Sequence, residues 1–133
     1  MLFRSPIGSL WVNGAMTVFS PAVLRIDASD NISGPGSVTI QPGSGLMYGS
    51  TDDISTDGTK GNVRTNGKIF SSGANYGFIG NSDMVTGNAL PAQVNSLYVF
   101  KTTTATTTPN VTLTNSVTVN NLLNLTEIGR AHV

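Results

Sequence analysis

Apolar residues occupy alternate positions in four short segments, Leu10 to Val18, Val23 to Ile26, Ser37 to Ile40 and Leu46 to Tyr48, with Ser, Gly, Pro and Asp between them. Such alternation predicts strands joined by turns, and no stretch carries the 3.6-residue spacing of an amphipathic helix. The segments also agree with one another. Leu10 aligns with Ile32, Met16 with Val38, Val18 with Ile40 and Leu24 with Leu46, each at an offset of 22 residues. A coiling chain needs this kind of offset, because each turn sets its inward side chains over those of the turn before. Val12 falls on Gly34 and Ile26 on Tyr48, so the repeat is imperfect.

Residues 49–89 blur the pattern and are expected to hold long irregular turns, with short strands at Val63 to Thr65, Lys68 to Ser71 and Tyr76 to Ile79. Strand character returns from Ala92 to Phe100. Six of the seven residues from Thr102 to Thr108 are threonine, which favours extended backbone, and Pro109 with Asn110 ends the run in a turn. Beyond it, Val111 to Leu113, Val117 to Val119 and Leu123 to Leu125 recur every six residues, with Asn115, Ser116, Asn120 and Asn121 at the expected corners. The fold these patterns predict is all-β, a right-handed parallel β-helix (solenoid) over residues 10–126 behind an irregular lead-in at 1–9. A β-sandwich is the alternative, but it would demand a tight reversal after every few residues where a solenoid bends only partway.

Composition narrows the chemistry. Only 11% of the 133 residues are charged, 7 basic against 7 acidic, where an ordinary domain has roughly 25%. Stacked rungs of Thr, Asn and Val need few charges. The balance supplies no electrostatic footprint for nucleic acid or an anionic membrane. With no cysteine, a disulfide scaffold and thiolate metal sites are excluded. The N-terminal MLFRSPIGSLWVNG interrupts its apolar run with Ser5, Pro6 and Gly8, so it reads as neither a secretory signal nor a membrane span; for an exported protein the signal is expected upstream. The last seven residues, EIGRAHV, look like the translation of a common short-read sequencing adapter (GAG ATC GGA AGA GCA CAC GTC). Residues 127–133 are therefore expected to be a non-native tail, and with them goes His132, the only histidine.

Residues 75–126 resemble the β-helical, adhesin-like repeats of large exported Bacteroidetes surface proteins associated with type IX secretion. The resemblance rests on Tyr76, Phe78 and Gly80; on Gly87, Leu90, Pro91, Val94, Asn95 and Leu97; and on Val111, Thr112, Leu113, Val117, Thr118, Val119, Asn120, Leu123 and Leu125. Asn121 stands where such repeats usually carry Gly. The resemblance implies a structural or adhesive segment at the outer cell surface or outside the cell, flanked by further domains of the same chain. It implies an extracellular glycan or a host or cell-surface ligand as partner, without nucleic acid or direct membrane insertion. It implies no catalytic residue and no cofactor.

Asp52, Asp53 and Asp57 offer oxygen donors to a hard cation, although their spacing matches no known calcium loop and a solvated turn is the simpler reading. Asp27 with Asp30, Asp52 with Asp53, or Asp30 with Asp52 one coil on, supply the paired carboxylates of glycoside chemistry, but Arg25, Lys60 and Arg64 do not obviously converge on them. Trp11, Tyr48, Tyr76, Tyr98 and Phe100 are the aromatic candidates for sugar stacking. Of these, Trp11 and Tyr98 alternate with apolar neighbours that point inward, which turns their own rings out. A carbohydrate-binding or polysaccharide-degrading β-helix is thus the alternative function.

Overall fold

The structure, a computed structural model, describes residues 2–4, 8–56, 58, 60–101 and 109–127, and among these it contains strands and turns without a helix. The strands are β1 (Leu2–Arg4), β2 (Ser9–Trp11), β3 (Ala15–Val18), β4 (Val23–Ile26), β5 (Asn31–Ile40), β6 (Gly45–Tyr48), β7 (Val63–Phe70), β8 (Asn75–Gly80), β9 (Met84–Val85), β10 (Gln93–Lys101), β11 (Val111–Thr112) and β12 (Thr118–Glu127). Successive coils lay one strand each onto a six-stranded sheet, in the order β1-β4-β6-β8-β10-β12. A second sheet places β2 and β3 end to end along one edge of β5, with β7 on the other edge, and a third pairs β9 with β11. All of these pairings are parallel. The chain is a β-solenoid of about four turns. A sandwich is excluded, because its hairpins would pair antiparallel.

The offset of 22 is a physical register. Leu10 pairs with Ile32, Met16 with Val38, Val18 with Ile40 and Leu24 with Leu46. Inward side chains consequently form rows along the solenoid axis. One row runs Leu24, Leu46, Tyr76, Leu97, and its neighbour runs Ile26, Tyr48, Phe78. All seven are buried, and the Tyr48 and Phe78 rings meet edge to face with centroids 6.0 Å apart. Burying such side chains contributes about 1.5–3 kcal/mol each. A polar row marks one corner, where the Asn75 amide donates to the Ser44 carbonyl and the Asn95 amide donates to Asn75 Oδ1.

Three expectations need correcting. Residues 2–4 form β1, paired with Val23–Arg25, so strand pairing begins inside the segment read as an irregular lead-in. Within residues 49–89, Val63 to Thr65 and Lys68 to Phe70 belong to the single strand β7, whose irregularity lies opposite Gly34 to Ser37, and the long excursion is confined to residues 49–62. The excursion stretches one coil, since Leu46 pairs with Tyr76, yet Tyr76 already pairs with Leu97. Lastly, the six-residue period is not a set of solenoid faces. β12 is one continuous strand, in which Asn120 and Asn121 together oppose Asn95 between the pairs Val94–Val119 and Ser96–Leu122. Two residues against one make a β-bulge, which puts the asparagines within a strand rather than at a corner. The threonine run 102–108 and residues 128–133 of the expected tail lie outside the described residues; Glu127 ends β12.

β5 crosses the gap between β2 and β3 at Gly36, whose amide donates to the Val12 carbonyl at 2.9 Å. A Cβ at Gly36 would stand 2.0 Å from the Gly14 carbonyl oxygen and 2.8 Å from that of Val12, whereas one at Gly14, a coil earlier, would meet nothing within 4 Å. Gly36→Ala should therefore cost about 2 kcal/mol or more, and Gly14→Ala no more than about 0.5 kcal/mol. Urea denaturation of the two variants checks the difference; equal midpoints would refute the close coil contact.

Candidate functional site

On the outer face of the six-stranded sheet the rows carry different chemistry. Arg25, Met47, Gly77, Tyr98 and Asn124 pair in succession, and Ile79, Phe100 and Thr126 pair in the next outward row. Tyr98 and Phe100 stand two residues apart on β10 and hence on one face. Both are half-buried, and their rings stack at 5.6 Å with planes 23° apart. Toward the earlier coils, Arg25 Nε donates to Asp27 Oδ1 at 2.9 Å, with both side chains partly exposed. Between the ring and the ion pair lies a groove of about 420 Å³ lined by Arg25, Asp27, Gly49, Ile79, Gly80 and Phe100. The floor is low for a steric reason. A Cβ at Gly49 would stand 2.8 Å from the Ala28 amide nitrogen and 2.9 Å from the Ile26 carbonyl oxygen, so no side chain rises there.

No family model matches the chain, and no curated protein or solved structure is significantly similar to it.

Of the aromatic candidates, the structure divides outward from inward. Trp11 is exposed, but it lies on the second sheet, where its indole N–H donates to Asn13 Oδ1 at 2.9 Å. Tyr98 faces outward as expected. Tyr48 and Tyr76 are core residues and unavailable for stacking, because the alternation of β6 and β8 turns them into the inward rows. Their hydroxyls donate to the carbonyls of Asp52 and Ser71, and burial pushes both phenols above their ordinary range.

The acidic candidates do not form a common centre. Asp27 and Asp30 close one turn, but Asp27 faces Arg25 while Asp30 Oδ1 accepts from the Gly8 amide at 3.2 Å. Asp52 does not stack on Asp30. Ile32 pairs with Val63, so the space beyond Asp30 belongs to Asn62, whose amide nitrogen donates to the carbonyls of Asp27 and Asp30. The Asn62 oxygen accepts from the Gly49 and Ser50 amides at 3.1 and 2.7 Å, which fastens the base of the excursion to the coil before it. Asp53 lies 3.8 Å from Lys60, and Asp57 is outside the described residues. Among the described residues no three His, Cys, Asp or Glu side chains gather as a metal site.

A wider cleft, of about 760 Å³, opens between Asn66–Phe70 and Asn88–Ala92. The excursion creates it. Ala89 donates to the Ile54 carbonyl at 3.0 Å and the Thr56 amide donates to Asn88 Oδ1 at 2.9 Å, so the following coil rests on residues 54–56, and β7 pairs only with β5. At another corner, the buried Lys101 donates to the Ser82 carbonyl at 2.7 Å. Desolvation lowers its pKa, and the nearby Asp83 opposes that shift.

The phenols give a pH signature. Unfolded tyrosine ionises near pH 10, while buried Tyr76 keeps its proton to higher pH; the native state therefore binds more protons there, and stability falls as pH rises past about 10. Tyr76→Phe should cost about 1 kcal/mol at neutral pH through its lost hydrogen bond. The deficit should shrink between pH 9 and 11 in paired urea melts. A deficit that stays constant would show Tyr76 to be ionisable in the folded chain.

Proposed function

We propose that the chain is a structural, adhesive-type segment of a large exported bacterial surface protein, one that carries shape and contact rather than a reaction. The observation that supports this most is the continuation of the inward rows onto β12. Leu123 and Leu125 pair with Leu97 and Val99, in line with the Tyr76 and Phe78 rows, yet are 53% and 69% exposed. A solenoid buries each rung only against its neighbour, so these leucines make β12 an apolar contact surface. The resemblance of residues 75–126 to exported repeats supplies the setting, and most of its residues from Tyr76 to Leu97 sit in the core or at coil corners. The groove on the outer sheet favours a carbohydrate-binding version of the same role.

Antiserum raised against the purified chain should label intact cells of the source organism and lose its signal after protease shaving; labelling only after lysis would overturn the surface assignment. Incubation with a polysaccharide panel should release neither reducing ends nor unsaturated products, and release that tracks the purified chain would make it an enzyme.

The exposed row can be tested separately. Leu123→Thr with Leu125→Thr should reduce self-association in light scattering while preserving the β-sheet circular dichroism. Unchanged association would mean that this edge is not the sticky one.

A further inference from the structure

We infer that the groove between Arg25–Asp27 and Tyr98–Phe100 binds a short neutral oligosaccharide lying along the solenoid axis. The inference rests on the adhesive reading above and gives it a ligand class and a site. Three features of the groove combine to select a sugar. Phe100 lines one end and stacks on Tyr98, so the ring is held in a fixed orientation, as an aromatic platform for the C–H face of a pyranose must be. At the other end, Arg25 donates through Nε to Asp27 and its side chain is 42% exposed, and a planar guanidinium with five donors suits the vicinal hydroxyls of a sugar. Ile79 is 9% exposed and Gly49 admits no side chain, so the floor between the two ends is apolar and shallow.

The dimensions agree. Arg25 and Phe100 lie on the first and last of four consecutive strands of the sheet, β4, β6, β8 and β10, and so stand about 14 Å apart along the axis at about 4.8 Å per strand. That is a span for more than one sugar unit. The volume of about 420 Å³ falls in the usual range for small-ligand sites, roughly 300–1,000 Å³. Charge argues for a neutral ligand. The Arg25 guanidinium lies against the Asp27 carboxylate, and a uronic or sialic acid would bring a second negative charge beside that carboxylate.

Trp11 serves as the internal control, because its ring is exposed yet belongs to the other sheet. The test is titration of the whole purified chain with neutral di- to tetrasaccharides (gluco-, manno-, xylo- and galacto-series), followed by saturation-transfer NMR and calorimetry. At least one series should bind. Phe100→Ala and Arg25→Gln should each weaken that binding tenfold or more, Trp11→Ala should leave it unchanged, and all three should keep the wild-type circular dichroism and thermal midpoint within a few degrees. If Phe100→Ala fails to fold, Phe100→Leu takes its place, retaining apolar bulk without a ring. Absence of binding by any neutral series overturns the inference, as do folded Phe100 and Arg25 variants that bind like the wild type, or acidic oligosaccharides binding more tightly than neutral ones. Surface labelling without sugar binding would remove this site and leave the structural role standing; sugar binding by a chain absent from the surface would do the reverse.

Discussion

Parallel pairing along the six-stranded sheet is the constraint to which everything else in the chain adjusts. Each strand of that sheet must meet the strand below residue for residue, since its backbone donors and acceptors find their partners there. Coil length is free only outside it. The excursion at residues 49–62 shows how this freedom is used: Leu46 and Tyr48 still pair with Tyr76 and Phe78 although the coil has grown by about a third. The adjustment falls on the second sheet, where among the described residues β7 has no strand on its far side and the next coil is carried by Ile54 to Thr56. Asn62 makes this tolerable by joining two amides of its own coil to two carbonyls of the coil before.

The same constraint builds the outer groove. Side chains that would be scattered in sequence, Arg25 from one coil and Phe100 from another, are brought to one face because their strands lie in one sheet at fixed spacing. Gly49 then removes the wall between them. Neither ring nor ion pair alone would distinguish this face from the rest of a Thr- and Asn-rich surface; their alignment along the axis does.

How much of this was legible in the sequence depends on coil length. Where two coils are equal, as between Leu10 and Leu46, a constant offset of 22 exposes the register directly, and the structure repeats it pair by pair. Once the excursion changes the offset, a single spacing no longer applies, and Asp30 cannot be placed opposite Asp52. Alternation within β10 turned Tyr98 outward correctly. It did not reveal that Phe100 belongs with Arg25 and Asp27, because that requires the unequal coil lengths in between. Short apolar pairs misled for a different reason. A polar doublet such as Asn120-Asn121 has the same local chemistry at a corner as at a bulge, and only the partner strand decides which it becomes.

The direction of the hydrogen bonds has a mechanical consequence. Strands run across the axis, so the backbone bonds between coils run along it, and tension applied to the two ends loads the coils in series. Such a column yields by peeling rather than shearing, one coil at a time. A 22-residue coil would pay out about 75 Å of slack as it opens, at about 3.4 Å per residue. The coil that contains the excursion would release more, with Asn62 as its latch. Stretched in this way, the solenoid would behave as an extensible tether whose longest step is set by the one long coil.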